Sequence, residues 1–175
     1  MNRYGATGFD SFVDLNRYWH HQYQGNTNDC GAYSVAIVAS TYHKGVPLYD
    51  GAQVALDMEQ KHRKLSDSAS FPWGMAAQLR DYDVPATWRM FMSWRSVEQR
   101  VMRGDFVIMI IGSIRERWAH AMVVYGFQPS LVYFMDPANE KQITVLSKES
   151  VVRQWTALGR IAILSPGGDL PLAGG

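Results

Sequence analysis

The sequence has few of the features that mark several common classes of protein. Its 175 residues include a single cysteine, so no disulfide can form within the chain, and one free thiol fits a reducing compartment. Seventeen basic and 16 acidic residues leave a formal net charge of +1, without the positive excess of nucleic-acid-binding domains. We therefore expect a cytoplasmic location and no nucleic-acid partner.

Long apolar runs are also missing. The longest, at residues 106–111 and 121–125, are far shorter than the roughly 20 residues that cross a bilayer. The first 19 residues have neither a basic leader nor the apolar stretch, about 7–15 residues long, of a secretory signal. We expect no signal peptide and no membrane association.

The histidines outside the second half of the chain form no metal-binding motif. They lack the paired helical HExxH arrangement, and one cysteine cannot build a zinc ribbon. We predict no metal site and no cofactor, and interpret these residues as surface or interface histidines: His20, His21, His43 and His62.

Length and composition favour one compact domain. Hydrophobic residues make up 47% and charged residues 19% of the chain, the balance of a globular protein. No repeat or long linker divides it. We predict an N-terminal extension over residues 1–22, the folded domain over 23–165 and a flexible Gly/Pro-rich tail over 166–175; the sequence leaves the oligomeric state open.

Helical patterns dominate the first half of the chain and strand patterns the second. Apolar positions at spacings of three and four predict a buried helix over residues 31–42, and Gly45 and Pro47 supply its stop signal. Further helices are predicted over 49–61, 72–82, 94–103 and 148–156, and strands over 106–111, 120–127, 131–136, 142–146 and 160–164. This order indicates an α+β fold in which an N-terminal helical part packs on a C-terminal antiparallel sheet.

Cys30 stands at the start of the first predicted helix. Asn28 and Asp29 are both good N-cap residues, which places the thiol in or beside the first turn, where unpaired backbone N–H groups converge. The positive end of a helix dipole lowers the pKa of a thiol and so favours the nucleophilic thiolate. Because a lone cysteine is more often a small core residue, a catalytic role needs support from other residues.

His120 and Asp136 supply that support. His120 opens an apolar strand where an imidazole has no packing advantage, and Asp136 ends the next strand after a turn at residues 128–130. In a closed hairpin they would be cross-strand neighbours, so the carboxylate could fix the imidazole tautomer and leave the other nitrogen facing a thiol. The alternatives are a purely structural pair, and Asn139 as the residue that orients the histidine.

Gln24 lies six positions before Cys30. A loop of that length can fold the glutamine amide back beside the sulfur, where an N–H that does not ionise could stabilise an oxyanion. Taken alone it would be an exposed surface residue, so its spacing from Cys30 is the argument for a role.

These residues lie in three motifs, in the order Gln24-Gly-Asn-Thr-Asn-Asp-Cys30-Gly31, Trp118-Ala-His120-Ala-Met-Val-Val-Tyr-Gly126 and Phe134-Met-Asp136-Pro137. Over about residues 23–164 the chain resembles the C39-like cysteine peptidases of the papain superfamily. The resemblance implies a papain-like fold, Cys30 as nucleophile, His120 as its base, Asp136 as the orienting residue and Gln24 in the oxyanion hole.

The implied activity is hydrolysis of peptide bonds through a Cys30 thioester. C39 peptidases proper cut leader peptides after paired small residues, so we consider a preference for Gly-Gly and a substrate-like or self-processed end at Gly174-Gly175, against an ordinary frayed terminus. Candidate substrate-binding residues are Trp118, Trp73 and Gly31, although six tryptophans in a small domain more often pack a core. Acyl transfer at the same site, or a catalytically silent peptide-binding module, are the alternatives.

Overall fold

The computed structural model describes residues 11–14, 17–66 and 69–167 of the chain. Helices and strands follow one another in the order β1 (Phe12–Val13), α1 (Cys30–Tyr42), α2 (Gly51–Gln60), α3 (Pro72–Asp81), β2 (Thr87–Arg89), α4 (Trp94–Met102), β3 (Phe106–Ser113), β4 (Trp118–Phe127), β5 (Leu131–Met135), β6 (Thr144–Ser147), α5 (Lys148–Ala157) and β7 (Ala162–Ser165).

The strands form one antiparallel sheet. Its strand order is β2-β7-β3-β4-β5-β6, and β1 pairs with Gly126 and Phe127 at the end of β4 that β3 does not reach. Apolar side chains alternate along the central strands: Ile108 of β3 faces one layer of helices, whereas Val107 and Met109 face the other. Helices therefore cover both faces of the sheet.

Two apolar clusters fill the spaces between the layers. The larger packs α1, α2 and α3 on one face of the sheet, and the smaller packs α4 and α5 on the other. α1 is buried along most of its length, because small and branched apolar residues (alanine, valine and isoleucine) fill the run from Val35 to Ala39. A helix enclosed in this way has a fixed position, and so does the residue at its first turn.

The predicted elements agree closely with the structure. The helix and strand patterns are confirmed with ends shifted by a few residues, and the turn after β4 closes with the backbone N–H of Gln128 donating to the carbonyl of Leu131 at 2.9 Å. The short strands β1 and β2 were not predicted, because two or three residues are too few for a periodic pattern.

The start of α1 confirms that Cys30 lies in the first turn, but the predicted side-chain cap is missing. Asp29 takes the N-cap position, but its side chain makes no capping hydrogen bond. It pairs instead with the buried ammonium group of Lys64, with 3.1 Å between Oδ1 and Nζ. The carboxylate beside the nucleophile candidate therefore ties α1 to the segment after α2.

Described residues of the predicted N-terminal extension, 1–22, contribute to the folded unit. β1 pairs with β4, and Trp19 is 6% exposed and packs edge-on against Phe106 and Tyr125. The division of the chain at residue 22 stays a prediction. Of the predicted tail, only residues 166 and 167 are described, so Gly174-Gly175 lies outside the described residues.

Within the described residues, no helix has the length and apolar character needed to cross a membrane. The expected cytoplasmic location stays a prediction.

Candidate active site

Cys30 is the first residue of α1, and two hydrogen bonds fix its helix against β4. The backbone N–H of Ala121 donates to Sγ of Cys30, with 3.4 Å between nitrogen and sulfur. One turn further along the helix, the buried hydroxyl of Ser34 donates to the carbonyl of the same Ala121 at 3.1 Å. The half-buried thiol is thereby held beside the residue that follows His120 in the strand.

His120 lies near the start of β4 and binds Asp136 through a short hydrogen bond of 2.6 Å from Nε2 to Oδ1. The ladder pairs Val123 with Met135, so Asp136 would continue it opposite Met122, two positions from His120 on the same face. The two residues are thus diagonal neighbours and not directly opposed. A bulge near Tyr125 shifts the register by one residue, and without it Asp136 would lie opposite Val123, on the other face of the sheet from His120. The diagonal distance still suits two side chains of this length.

The hydrogen bonds of this pair change the pKa of both groups. Burial by itself lowers the pKa of His120, but its hydrogen bonds with Asp136 and Cys30 outweigh burial and raise the pKa from 6.5 to about 9. Burial favours the neutral form of Asp136, yet the hydrogen bond and positive charge of His120 hold the pKa of the carboxyl below its usual value. At neutral pH the ring is therefore an imidazolium beside a carboxylate.

Two further donors support the carboxylate of Asp136, which is 8% exposed. The backbone N–H of Ala138 donates to Oδ1 at 2.9 Å, and the hydroxyl of Thr144 donates to Oδ2 at 3.2 Å. His21 holds the backbone at the same residue, because its Nε2–H donates to the carbonyl of Asp136 at 2.9 Å. Asp136 is thus anchored through both its side chain and its main chain.

Gln24 is 9% exposed and is fixed by a tight turn. Its backbone N–H donates to the carbonyl of Pro137 at 2.8 Å, and its side-chain Nε2 donates to the carbonyl of Thr27 at 2.5 Å. Gly25, with φ +64°, permits the chain to turn there. Because a carbonyl only accepts, the nitrogen of the amide is identified, and its second hydrogen stays available.

A cleft of about 510 Å³ joins these groups. Its walls include Cys30, His120 and Gln24, together with Asn28, Trp118 and Leu158. A second cleft of about 500 Å³ opens on the other side of His120, where Asp136 and Thr144 lie. The imidazole therefore stands between the two clefts, with Nε2 turned to the carboxylate and Nδ1 left for the thiol.

The three predicted substrate-binding residues lie in different surroundings. Trp118 lines both clefts and is 38% exposed. Trp73 lies on α3 and stacks on Phe71, outside the described lining of either cleft. Gly31 is buried beneath Ser70, and a Cβ at this glycine would come within 2.5 Å of the serine side chain. Their proposed roles stay predictions.

The supporting residues were the ones that sequence reasoning missed. Thr144 and Lys64 contact Asp136 and Asp29 respectively, although neither lies in a recognisable motif. His20 and His21 are interpreted from the sequence as surface or interface histidines, and that interpretation gives no hint of the hydrogen bond between His21 and the main chain of Asp136. The described residues contain no group of three or more His, Cys, Asp or Glu side chains able to hold a metal ion.

Residues 15–163 match the model of the Peptidase_C39 like family. The chain belongs to this family. The match spans most of the peptidase sequence and includes all four candidate catalytic residues. No curated protein matches the sequence.

Solved structures share the fold of this C39-like peptidase. A protein described as a C39-like peptidase from Bacillus anthracis superimposes with a TM-score of 0.68 at 14% identity, over 90% of this chain and 98% of that one. A double glycine motif protease from an AMS/PCAT transporter, solved with the leader peptide, superimposes with a TM-score of 0.57 at 23% identity, over 88% of this chain and 96% of that one. The Carica candamarcensis cysteine protease CMS1MS2, in complex with E-64, superimposes with a TM-score of 0.66 at 10% identity, over 91% of this chain and 99% of that one. These likenesses confirm the predicted α+β, papain-like fold.

Proposed function

We propose that this protein is a thiol-dependent peptidase in which Cys30 attacks a peptide carbonyl. The observation that carries the proposal is the meeting of the sole cysteine, at the first turn of α1, with an imidazole whose pKa of about 9 is sustained by Asp136. A nucleophile, a proton donor and an orienting carboxylate are the groups that covalent hydrolysis requires.

The reaction begins with attack by the thiolate of Cys30 on the scissile carbonyl. The oxyanion that forms is stabilised by the free hydrogen of Gln24 Nε2 and by the backbone N–H of Cys30, which α1 leaves unpaired. When the C–N bond breaks, Nδ1 of His120 gives its proton to the leaving amine, and the acyl group stays on sulfur as a thioester. Water, deprotonated by the then neutral imidazole, attacks the thioester and releases the acid.

The substrate is a peptide or protein segment, with a preference for small residues such as Gly-Gly before the scissile bond. The cleft that contains Cys30 is lined by the large side chains of Trp118, Leu158 and Ile114, which is the observation that supports this preference. The fold also resembles that of a protease described as acting on a double glycine motif. Glycine can thread a narrow cleft where larger side chains clash.

A peptide-library cleavage profile with the wild type and Cys30→Ala tests the proposal. We expect cleavage by the wild type, enriched at small residues, and none by Cys30→Ala, because no other thiol exists in the chain. Turnover of a validated peptide by the alanine variant would refute the assignment. Gln53→Ala, on the exposed surface of α2, is the matched control and should cleave normally.

Two further measurements separate the alternatives. Product masses with and without an added amine distinguish hydrolysis from acyl transfer, since a transferred acyl group carries the mass of the amine. Iodoacetamide at pH 6 distinguishes an active thiol from a silent binding module: an ordinary thiol with a pKa of about 8.5 scarcely reacts there. With only one cysteine, a single added carbamidomethyl mass reports Cys30 alone.

A further inference from the structure

A chain of hydrogen bonds runs from the loop after β5 to the imidazole of His120. The backbone N–H of Lys141 lies 2.9 Å from Oδ1 of Asn139, and Nδ2 of Asn139 lies 2.8 Å from Oγ1 of Thr144. Thr144 Oγ1 in turn lies 3.2 Å from Oδ2 of Asp136, whose other oxygen binds His120.

The direction of every hydrogen bond in this chain follows from the first. A backbone N–H only donates, so the atom of Asn139 that faces Lys141 must be its oxygen, and the atom that faces Thr144 must be its NH2 group. Since that NH2 group also only donates, Thr144 Oγ1 accepts from it. A carboxylate oxygen also only accepts, so the single hydroxyl hydrogen of Thr144 is the one donated to Oδ2 of Asp136.

The hydroxyl of Thr144 is the donor to Oδ2 of Asp136, and no other group in the described part of the chain donates to that oxygen. Both His120 and Ala138 bind Oδ1 of Asp136, whereas Thr144 is the donor that the structure gives to Oδ2. A carboxylate held by donors on one oxygen only can turn about its Cβ–Cγ bond, and its contact with the imidazole then loosens. A donor on the second oxygen prevents this turn.

We propose that Thr144 is a positioning residue that locks the carboxylate of Asp136 toward His120, and that Asn139 sets the direction of the Thr144 hydroxyl. The proposal rests on the proposed function and deepens it. Asn139, considered from the sequence as a rival to Asp136, thus acts three hydrogen bonds away from the imidazole, through Thr144 and Asp136. Neither residue touches the substrate cleft that contains Cys30.

The first test compares Thr144→Val, which keeps the shape and removes the hydroxyl, with Thr144→Ser, which restores it. We expect kcat of the valine variant to fall about tenfold, as for loss of one hydrogen bond to a charged group, with KM within about twofold. The serine variant should recover most of kcat. Equal losses in both variants, or a change in KM alone, would overturn the proposal.

The second test observes the His120–Asp136 hydrogen bond without any turnover. Its Nε2 proton should give a downfield proton resonance, assigned by its loss in His120→Ala. We expect the resonance in the wild type and in Thr144→Ser, and its loss or broadening in Thr144→Val. A persistent, sharp resonance in a folded valine variant would overturn the proposal. Because no substrate is needed, this result stands even if the peptidase assignment fails.

Asn139→Asp tests the direction of the chain and serves if Thr144→Val does not fold. A carboxylate at 139 accepts where the amide donated, so the Thr144 hydroxyl should turn to it and leave Asp136 without its second donor. We expect the kcat and the resonance to change as in Thr144→Val. Wild-type values in Asn139→Asp would refute the assigned direction. Thr87→Val, on the exposed strand at the opposite edge of the sheet, is the matched control and should leave both unchanged.

Discussion

Ala121 and Cys30 are 91 positions apart in the chain, yet the backbone nitrogen of Ala121 lies 3.4 Å from the sulfur of Cys30. Ser34 adds a second bond to the same strand residue through its carbonyl. Helix α1 and strand β4 are therefore joined at the one place where the nucleophile candidate and its imidazole must meet. The relation between these elements sets the geometry of the site.

We expect Ser34→Ala to weaken this junction. The carbonyl of Ala121 would lose its buried donor, so the free energy of unfolding should fall by about 1–2 kcal/mol, the usual effect of leaving a buried acceptor unsatisfied. Urea unfolding measures the loss, and kcat/KM for a cleaved peptide should also fall. An unchanged stability would mean that water replaces the hydroxyl at this position.

Gln24→Ala should lower kcat by about 10²–10³, because loss of one oxyanion donor usually has an effect of this size. The substitution also leaves the carbonyl of Thr27 without a donor, so stability must be measured beside the rate. Gln53→Ala is the control, since the exposed Gln53 lies on α2 and hydrogen bonds with Asp57 of the same helix. A loss confined to stability, with kcat kept in the folded fraction, would exclude the oxyanion role.

The pKa of His120 predicts the alkaline limit of activity. The imidazole must carry its proton to release the leaving amine, and a pKa raised from 6.5 to about 9 keeps that proton bound through neutral pH. We therefore expect kcat/KM to fall as pH rises through about 9. NMR titration of the His120 ring, assigned with His120→Ala, measures the same pKa directly.

Asp136→Asn tests the cause of that limit. The amide oxygen can still accept from Nε2, but the negative charge that favours the imidazolium is gone, so the pKa of His120 should fall toward 6.5. The alkaline limb of the pH profile of kcat/KM should move to lower pH with it. A limb that stays near pH 9 in this variant would show that another group controls it.

The residues with direct chemical roles in the proposal were the easiest to find in the sequence. Cys30 is the only thiol, His120 is a polar residue in an apolar strand, and Asp136 ends the next strand before a proline. Each departs from its local pattern, and such departures are where functional residues stand out. The hairpin turn then predicted that the histidine and the aspartate lie close together.

The supporting residues could not be found in the same way. Thr144 is an ordinary β-strand residue, and Lys64 follows a helix among other charged residues, so neither departs from its surroundings. Their contacts depend on where loops cross in space, and a one-residue bulge near Tyr125 already changes which residues of β4 and β5 face each other. Sequence periodicity carries no record of such a shift.

Gly31 provides the last prediction, because two opposing effects decide whether Gly31→Ala raises or lowers the free energy of unfolding. Alanine is better than glycine inside a helix by about 1 kcal/mol, so Gly31→Ala would stabilise α1 if space allowed. The new Cβ, however, would lie 2.5 Å from both Cβ and Oγ of Ser70, and that short side chain cannot swing away. We expect the cost of the clash to exceed the gain in helix propensity, so that the free energy of unfolding measured in urea falls by about 1–3 kcal/mol.

The double variant Gly31→Ala/Ser70→Gly separates the clash from other causes. Removing the serine side chain opens the space, so the double variant should recover most of the stability that Gly31→Ala loses, while Ser70→Gly alone should cost less than about 1 kcal/mol. Because Ala69, the neighbour of Ser70, lines the cleft with Cys30, KM should rise in Gly31→Ala and return in the double variant. Additive losses without recovery would show that Ser70 is not the residue that excludes a side chain at position 31.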